Sequence, residues 1–439
     1  MKRARGRREP SAPAARRATH VLLVVENVAL GIDIRVRKQV RDLLTAGYCV
    51  SVITRSAREN DEYRLLPGLT VLEYPSPPEP RSLPGYVREY AMSFAWAAVH
   101  SGIARLRSRI DVLQLCQPPD IYFPLARLHK LLGAAIVVDQ RDLMPELFAM
   151  RQNRGLRGVT VVLRWLERRT QRIADETICV NDYLRERLID AGATPDRVTI
   201  VRNGPVLARV QRAVPDESLR RDRSFLCCWA GKMGRQDRLD LVLGVIHHVV
   251  HELGARDITF VILGDGECLA EARALSSQLG LDPWVSFTGW VPESAVFSFF
   301  ATADLGIDAS LQEEVSPVKV MEYMAFGVPF VSFDLQETRR VGAGAGALVA
   351  PGDVSALARE LVAVLGDPER RAEMARIGRE RVSHDLAWEH QATRYLEVVD
   401  RLGNVRPARS RRGWSTGAGR RVIRYRCEWS RGQRSVWGR

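Results

Sequence analysis

The stretch 313–334, EEVSPVKVMEYMAFGVPFVSFD, predicts a loop, a helix, a turn and a strand in succession. Ser316 is a suitable N-cap, and Pro317 is tolerated as the first helical residue. Gly327 suits the left-handed position that ends a helix. The apolar run 328–333 is typical of a buried parallel strand. The pattern therefore indicates an α/β protein.

The junction of this loop and helix predicts an anion site. Free N–H groups and the positive end of the helix dipole favour negative charge there, and a diphosphate is a common occupant. Glu314 lies in the loop, and Glu322 follows eight residues later between apolar neighbours. A carboxylate in such surroundings needs donors, which the paired hydroxyls of a ribose would supply. The alternative is a helix with one solvated Glu and an incidental upstream Glu.

The same stretch resembles the E-x7-E motif of family 4 of the GT-B glycosyltransferases, in the form EYMAFGVPFVSFD. The run that follows, DLQETRRVGAGAGALVAPGD (334–353), is similar to a bacterial branch of that family. The resemblance implies that Glu322 binds the ribose of a nucleotide-sugar and that Glu314 contacts the sugar near its reacting carbon. Glu313 takes the place of Glu314 if the loop register differs by one residue.

The charge of the chain is concentrated in its two ends. The net charge is +13 over 439 residues, with +6 in residues 1–20, +10 in residues 402–439, and −3 in the body between them. Both ends have a composition typical of disorder. We expect them to contact an anionic membrane surface, where Trp414, Trp429 and Trp437 would suit the interface. Arginine-rich padding without a role is the alternative, and no nucleic acid is expected because no nucleic-acid fold signature accompanies the charge.

The cysteine pattern indicates a reducing compartment. There is no CxxC pair, and Cys49, Cys116, Cys179 and Cys227 fall in predicted strands, where a free thiol behaves as a small hydrophobe. No apolar segment follows the basic N-terminus, and no apolar run is long enough to span a membrane. We therefore expect a cytoplasmic protein, either free or peripheral at the inner face of the membrane.

The first half of the chain opens with strand, loop, helix and strand, which is Rossmann-like although GxGxxG is absent. The resemblance implies that the loop after the first strand faces a cleft, on the acceptor side, where Gly31, Asp33 and Arg35 stand. Arg35 either meets a phosphate or an acceptor, or is a solvated residue of the first helical turn. After a later strand, Arg141 and Asp142 stand where the family often has a His-Asp pair, so the usual His contact to the donor sugar is missing.

The second half opens with the strand SFLCCWAG and the loop GKMGRQDRLD. The resemblance implies that Gly231 and Lys232 meet the diphosphate. The family's second basic position is occupied by Asp237, and Arg235 or Arg238 would replace it from next door. The alternative for these cations is a surface role at a helix start.

The remaining donor contacts are also implied by the resemblance. Trp290 and Val291 would face the nucleobase. The helix start at Ser316, Pro317 and Val318 would stabilise the departing diphosphate, with Lys319 either assisting or solvated. Glu314 and Lys232 are the candidate catalytic residues, and no covalent nucleophile is evident.

We therefore expect a GT-B fold with two Rossmann-like domains facing across a cleft, and a C-terminal helix that returns to the first domain. The predicted segments are a basic tail (1–20), an acceptor domain (21–205), a linker (206–222), a nucleotide-sugar domain (223–385), the returning helix (386–401) and a second basic tail (402–439). The expected function is transfer of a sugar from a nucleotide-sugar to an unknown acceptor, with retained anomeric configuration and without a metal or cofactor. A degenerate GT-B binding protein and a sugar-nucleotide epimerase are the alternatives.

Overall fold

The structure is a computed structural model that describes residues 18–26, 28–76, 82–151 and 157–404. Most of the two predicted basic tails, residues 1–17 and 405–439, lies outside the described residues. The predicted contact of the tails with a membrane therefore stays a prediction.

The first domain contains a parallel sheet of seven strands in the order β3-β2-β1-β4-β5-β6-β7 among the described residues. Its inner strands are apolar and buried on both faces, as parallel strands between two helical layers are. The strands are β1 His20–Val24, β2 Cys49–Arg55, β3 Leu69–Tyr74, β4 Val112–Gln117, β5 Ala135–Gln140, β6 Glu176–Cys179 and β7 Val198–Ile200. The helices are α1 Ile34–Thr45, α2 Asp61–Arg64, α3 Leu83–Arg107, α4 Phe123–Leu131, α5 Met144–Arg151, α6 Arg157–Ile173 and α7 Asp182–Asp190.

The second domain follows a connection that contains the short helix α8, Leu207–Val210. Its parallel sheet has the order β10-β9-β8-β11-β12-β13 within the described part of the chain. The strands are β8 Phe225–Ala230, β9 Ile258–Leu263, β10 Val285–Gly289, β11 Leu305–Asp308, β12 Phe330–Phe333 and β13 Gly346–Val349. The helices are α9 Leu239–His247, α10 Leu269–Gln278, α11 Glu293–Thr302, α12 Val318–Phe326, α13 Gln336–Gly342, α14 Val354–Gly366 and α15 Pro368–Arg381.

The last described helix, α16 Trp388–Asn404, returns to the first domain, which confirms the expectation from the sequence. The buried Trp388 donates its indole N–H to Asp42 of α1 at 2.7 Å. Tyr395, also buried, donates its hydroxyl to Gln114 of β4 at 2.7 Å. Both polar tips are satisfied, so the aromatic rings can be buried without the cost of a lost hydrogen bond.

The stretch that predicted the fold has the expected elements, with two corrections at their ends. α12 begins at Val318, and Ser316 does not cap it, because the side chain accepts no bond from the first turn and Pro317 holds the cap position. Gly327 ends the helix at φ 69°, as predicted. β12 begins only at Phe330. No described helix is both long and apolar enough to cross a bilayer.

Candidate active site

A cavity of about 250 Å³ lies at the carboxyl edge of the second sheet, where β8 and β11 end and α12 begins. This edge is where open parallel sheets bind ligands. The cavity is lined by Ala230, Gly231, Lys232, Gln236, Asp237, Asp308, Ser310, Gln312, Val315, Ser316, Pro317, Val318, Lys319, Glu322, Leu335, Glu337 and Thr338.

The start of α12 presents hydrogen-bond donors to this cavity. Val318 N–H donates to the carbonyl of Ser316 at 2.8 Å, and the first bond of the helical pattern runs from Met321 N–H to Pro317 at 3.1 Å. The N–H groups at positions 319 and 320 lie between these two bonds and have no acceptor within the helix. The hydroxyl of Ser316 is buried and has no hydrogen-bond partner among the described residues. Together these donors suit an anion.

Lys319 is held in the cavity wall by two carboxylates and an aromatic ring. Its Nζ lies 3.4 Å from Asp308 and 3.6 Å from Asp237, and 4.7 Å from the ring centre of Trp229. Burial raises the pKa of Asp237, and the ammonium of Lys319 opposes that shift. Asp237 stands at the family's second basic position. Here it is an ion-pair partner that fixes the position of Lys319.

The other predicted cations differ in their position. Gly231 and Lys232 line the cavity, and Lys232 is exposed at its rim. Arg235 is 78% exposed and faces Glu271, whereas Arg238 has a left-handed backbone and pairs with Asp240. Neither arginine lines the cavity, so the expectation that one of them replaces the missing cation is corrected. Lys319 lines the cavity instead.

Glu322 is half-buried in the cavity wall, one turn beyond Lys319. Burial raises the pKa of its carboxyl to about 7, against the opposing effect of Lys38 from the first domain. Burial and the nearby Arg35 in turn lower the pKa of Lys38 to about 8, while Glu322 raises it. The carboxyl of Glu322 thus has few polar neighbours, as a group that receives hydroxyl donors from a ligand would have.

Glu314 and Glu313 have different surroundings. Glu313 accepts the N–H of Gln336 at 2.8 Å, at the first residue of α13. The carboxylate of Glu314 has no hydrogen bond or ion pair within the described part of the chain, and its backbone carbonyl accepts from Asn181 of the first domain at 2.9 Å. Of the two, Glu314 is the carboxylate left for a ligand, although it does not line the cavity itself.

The cations predicted on the acceptor side are tied into an ion cluster of the first domain. Arg35 is 4% exposed and places Nε and Nη2 on Asp139, with Nη1 on the carbonyl of Val201. Arg141 pairs with Asp33 and also faces Asp139 at 3.3 Å. Both readings of Arg35 from the sequence are wrong, because it is neither solvated nor open to a ligand. Its role is to neutralise a buried carboxylate.

The remaining predicted residues lie away from the cavity. Gly31 packs so closely against the backbone of Glu59 that a Cβ atom would lie 1.9 Å from its carbonyl oxygen. The carbonyl of Asp142 accepts the side-chain amide of Gln140 at 2.8 Å. Trp290 is 76% exposed, and Val291 packs against the core of the second domain. Their predicted contact with a nucleobase stays a prediction.

Sequence reasoning missed several residues of the site. Asp308 at the end of β11 and Glu337 in α13 line the cavity, as do Ser310 and Gln312. The position of Asp308 at a strand end was a usable signal. Glu337 gave none, because its surroundings come from the other domain. No cluster of three or more metal-ligating side chains occurs in residues 18–26, 28–76, 82–151 and 157–404.

Two solved structures share this architecture. Sucrose-phosphate synthase from Thermosynechococcus elongatus has a TM-score of 0.71 at 16% identity, over 88% of this chain and 99% of that one. The Anabaena protein HepE, solved with UDP-glucose, has a TM-score of 0.65 at 15% identity, over 88% of this chain and 100% of that one. These similarities confirm the GT-B fold.

The curated relatives are matched over part of their length. The chain is 28% identical to 2-deoxystreptamine glucosyltransferase of Streptomyces kanamyceticus over 262 residues, 56% of this chain and 64% of the relative. It is 28% identical to phosphatidyl-myo-inositol mannosyltransferase of Mycolicibacterium smegmatis over 233 residues, 52% of this chain and 58% of the relative. The chain thus spans less than two thirds of either relative.

Family models match both halves of the chain. The model described as "Glycosyl transferase 4-like domain" matches residues 31–204, and "Glycosyl transferases group 1" matches residues 224–367. These spans contain the two sheets and the cavity. The protein therefore belongs to the group 1, family 4 glycosyltransferases of the GT-B fold.

Proposed function

We propose that the protein transfers a sugar from a nucleotide-sugar donor to an acceptor. The observation that carries the proposal is that Glu322, Lys232, Lys319 and the unpartnered hydroxyl of Ser316 line one cavity of about 250 Å³. The relatives support the proposal, since one is a glucosyltransferase and one a mannosyltransferase. The structure of HepE, which contains UDP-glucose, also supports it.

In this proposal the diphosphate of the donor lies at the start of α12. The N–H groups at positions 319 and 320 and the unpartnered hydroxyl of Ser316 donate to its oxygens. Lys319 and Lys232 supply positive charge from two sides of the cavity. The ribose hydroxyls donate to Glu322, which replaces the water that the free carboxylate would bind.

The same groups favour departure of the diphosphate. Negative charge on the leaving oxygen grows as the glycosidic bond breaks, so fixed donors stabilise the transition state more than the bound donor. Lys319 is already oriented by Asp237 and Asp308, and little reorganisation is needed. We further propose that no metal is required, because the lysines and the helix start provide the charge. Retention of the anomeric configuration, with Glu314 orienting the sugar, is proposed from the family resemblance.

A thermal-shift panel tests the donor class. The full chain is heated with UDP, GDP, ADP, TDP and the common nucleotide-sugars of each, with EDTA present. One nucleotide class should raise the melting temperature. Glu322→Ala should abolish that shift. Glu373→Gln, which changes an exposed carboxylate of α15, should leave it unchanged. A panel without any shift would contradict the proposal.

Turnover then separates transfer from the two alternatives. A glycosyltransferase releases nucleoside diphosphate faster when an acceptor is added, whereas an epimerase acts on the donor without an acceptor. A binding protein shows the thermal shift without turnover.

We also propose that the protein works at an anionic membrane surface. Beyond the charge of the tails, one face of the first domain supports this. We name it the apolar-basic face, and it consists of the exposed apolar residues of the adjacent helices α4 and α6 with the cations beside them. The apolar residues are Leu128, Leu131, Leu132, Val161, Val162 and Trp165, and the cations are Arg127, Lys130, Arg164, Arg168 and Arg169.

The two helices of this face are in contact. The ring of Trp165 meets Phe123 edge-on at 5.7 Å, and Lys130 of α4 donates to the last carbonyl of α6, Ile173, at 2.8 Å. Leu131 is 80% exposed and Val161 is 67% exposed. Apolar side chains beside cations are the combination that binds an anionic lipid interface.

Vesicle flotation tests the membrane proposal with the full chain. Vesicles of phosphatidylglycerol and phosphatidylcholine should bind the protein, and phosphatidylcholine alone should bind it weakly. The double variant Val161→Asp/Trp165→Glu should lower binding to anionic vesicles by about ten-fold. Leu65→Asp, which changes an isolated exposed leucine, should not. Removal of residues 402–439 should lower binding further, and unchanged binding in both cases would contradict the proposal.

A further inference from the structure

A carboxylate of the second domain is inserted into the first. Glu337, in the first turn of α13, is 1% exposed although it lies at the boundary of two domains. Its Oε1 accepts the backbone N–H groups of Asp182 and Tyr183, at 3.1 Å each. These are the first two residues of α7, so the carboxylate occupies the positive end of that helix dipole.

Besides Arg340 of α13, whose Nη1 lies 3.5 Å from Oε1 of Glu337, the carboxylate faces Arg202 of the first domain. Arg202 is 8% exposed and donates Nη1 to Oε2 of Glu337 at 2.9 Å, while Nη2 pairs with Asp182. Its backbone N–H donates to Gln391 of α16 at 3.0 Å. Glu337 therefore receives three charge-assisted hydrogen bonds from the first domain, and the bond from Arg202 is buried.

The same helix start also holds the loop that carries Glu314. Asn181 caps α7 by accepting the N–H of Leu184 at 2.8 Å. Its amide Nδ2 donates across the domain boundary to the carbonyl of Glu314 at 2.9 Å. One turn of α7 thus contacts two parts of the second domain, α13 and the loop before α12.

We infer that Glu337, Arg202 and the start of α7 form an interdomain latch that holds the first domain over the donor cavity. This inference rests on the proposed function. Glu337 lines the cavity, and the loop that carries Glu314, the proposed sugar contact, is held by Asn181, so the latch fixes one wall of the cavity and this loop. Asn181, Arg202 and Glu337 are positioning residues in this account, because they act through the placement of the two domains.

Such a latch is reversible. When the domains separate, water replaces the hydrogen-bond donors of the Glu337 carboxylate. Water also replaces this carboxylate as the acceptor for the first N–H groups of α7. Only the difference between the two sets of hydrogen bonds is lost, and that difference is modest for each bond. The carboxylate is well suited to this role, since it satisfies two backbone N–H groups and one guanidinium at the same time.

Arg202→Gln is the decisive variant, because Arg202 does not line the cavity and its loss leaves the donor groups intact. We expect the dissociation constant for the nucleoside diphosphate to change by less than about three-fold, and kcat to fall on the order of ten-fold. Amide exchange at the start of α7, measured by mass spectrometry on the free protein, should become faster by on the order of ten-fold. Arg339→Gln is the matched control, since Arg339 lies in the same helix as Glu337 and pairs only within its domain, with Asp334 at 2.6 Å.

Glu337→Gln gives the second test. The amide keeps one oxygen for the helix start but brings an NH2 group towards Arg202, so exchange at α7 should again become faster. The double variant Glu337→Gln/Arg202→Gln should show an effect smaller than the sum of the two single effects, because both act on one contact. If either single variant loses cooperative melting, Arg202→Lys replaces it. This change keeps the positive charge and removes the two-pronged hydrogen bonding of the guanidinium.

Unchanged exchange at α7 and unchanged kcat in both single variants would overturn the latch. If the wild-type protein binds no nucleotide, the proposed function fails, but the exchange comparison on the free protein still decides on the latch. The two proposals therefore fail in different measurements.

Discussion

The charged residues at the strand ends of the two domains have opposite surroundings. In the first domain, Arg35 and Asp139 are 4% and 0% exposed, and their hydrogen bonds are made to each other and to neighbouring protein groups. In the second domain, Ser316 has an unpartnered hydroxyl, and Glu322 is half-buried without a hydrogen-bonded partner among the described residues. Polar side chains near the carboxyl edges of the two sheets thus serve structure in the first set and remain without protein partners in the second. In these two sets of residues, unmet hydrogen-bonding capacity distinguishes the cavity from the ion cluster.

The pKa shifts of the two carboxylates Asp139 and Glu322 differ in the same way. The pKa of Asp139 is lowered although burial alone would raise it, because Arg35 and Arg141 stabilise the charged form. Burial raises the pKa of Glu322, and Lys38 compensates only in part. A buried carboxylate with full compensation holds the fold together, whereas one without it has free energy to gain from a ligand.

The largest expected effect is on stability and concerns the saturated cluster. Arg35→Met leaves Asp139 buried without its main partner, so the free energy of unfolding should fall by about 3–5 kcal/mol. Urea denaturation measures this. Arg376→Met removes a cation that also pairs with two carboxylates, but at an exposed position, and should change the free energy of unfolding far less. Equal losses would remove the distinction between a structural cluster and surface pairs.

The second effect is on ligand affinity and concerns Lys319. Lys319→Met should weaken binding of the nucleoside diphosphate on the order of 10- to 100-fold, because a charge-assisted contact is lost and two carboxylates are left at the site. Binding of the parent nucleoside should change little. Titration calorimetry with both ligands measures the difference. Arg238→Met tests one of the two arginines that the sequence offered for the second basic position, and an equal loss there would show that this position was assigned to the wrong cation.

The smallest effect is a pH dependence set by Glu322. Its pKa of about 7 in the free protein means that the carboxyl takes up a proton as the pH falls through neutrality. The ionised form accepts the ribose hydroxyls, so affinity should be complete above about pH 8 and fall by up to ~10-fold per pH unit below 7. Calorimetry between about pH 5.5 and pH 8 measures this. Glu322→Gln should bind with a flat profile, and a profile unchanged by that variant would assign the titration to another group.

Local sequence was sufficient for much of the second domain. The cavity gathers Gly231, Lys232 and Glu322 with the run Ser316 to Lys319, all of which were named from one strand end and one helix start. These positions follow from chain geometry over a few residues. Which of Arg235, Arg238 and Lys319 lines the cavity does not follow from chain geometry, because it depends on the ion pairs that each side chain makes.

The first domain was harder to interpret from its sequence. Arg35 and Asp139 are 104 residues apart, and nothing local signals that they meet. Glu337 gave no sign of its role, since its partners Asp182, Tyr183 and Arg202 lie in the other domain. A pair of charges can be recognised as structural only when both members are known.

The sequence by itself determined the two Rossmann-like domains, the returning helix and the end of α12 at Gly327. Each of these depends on hydrophobic period or on turn chemistry, which are properties of short segments. Only the tertiary structure decided which charged side chains are paired within the protein and which have no protein partner. That division depends on burial and on partners distant in the chain, because the free energy of a charge is set by its surroundings and not by its neighbours in sequence.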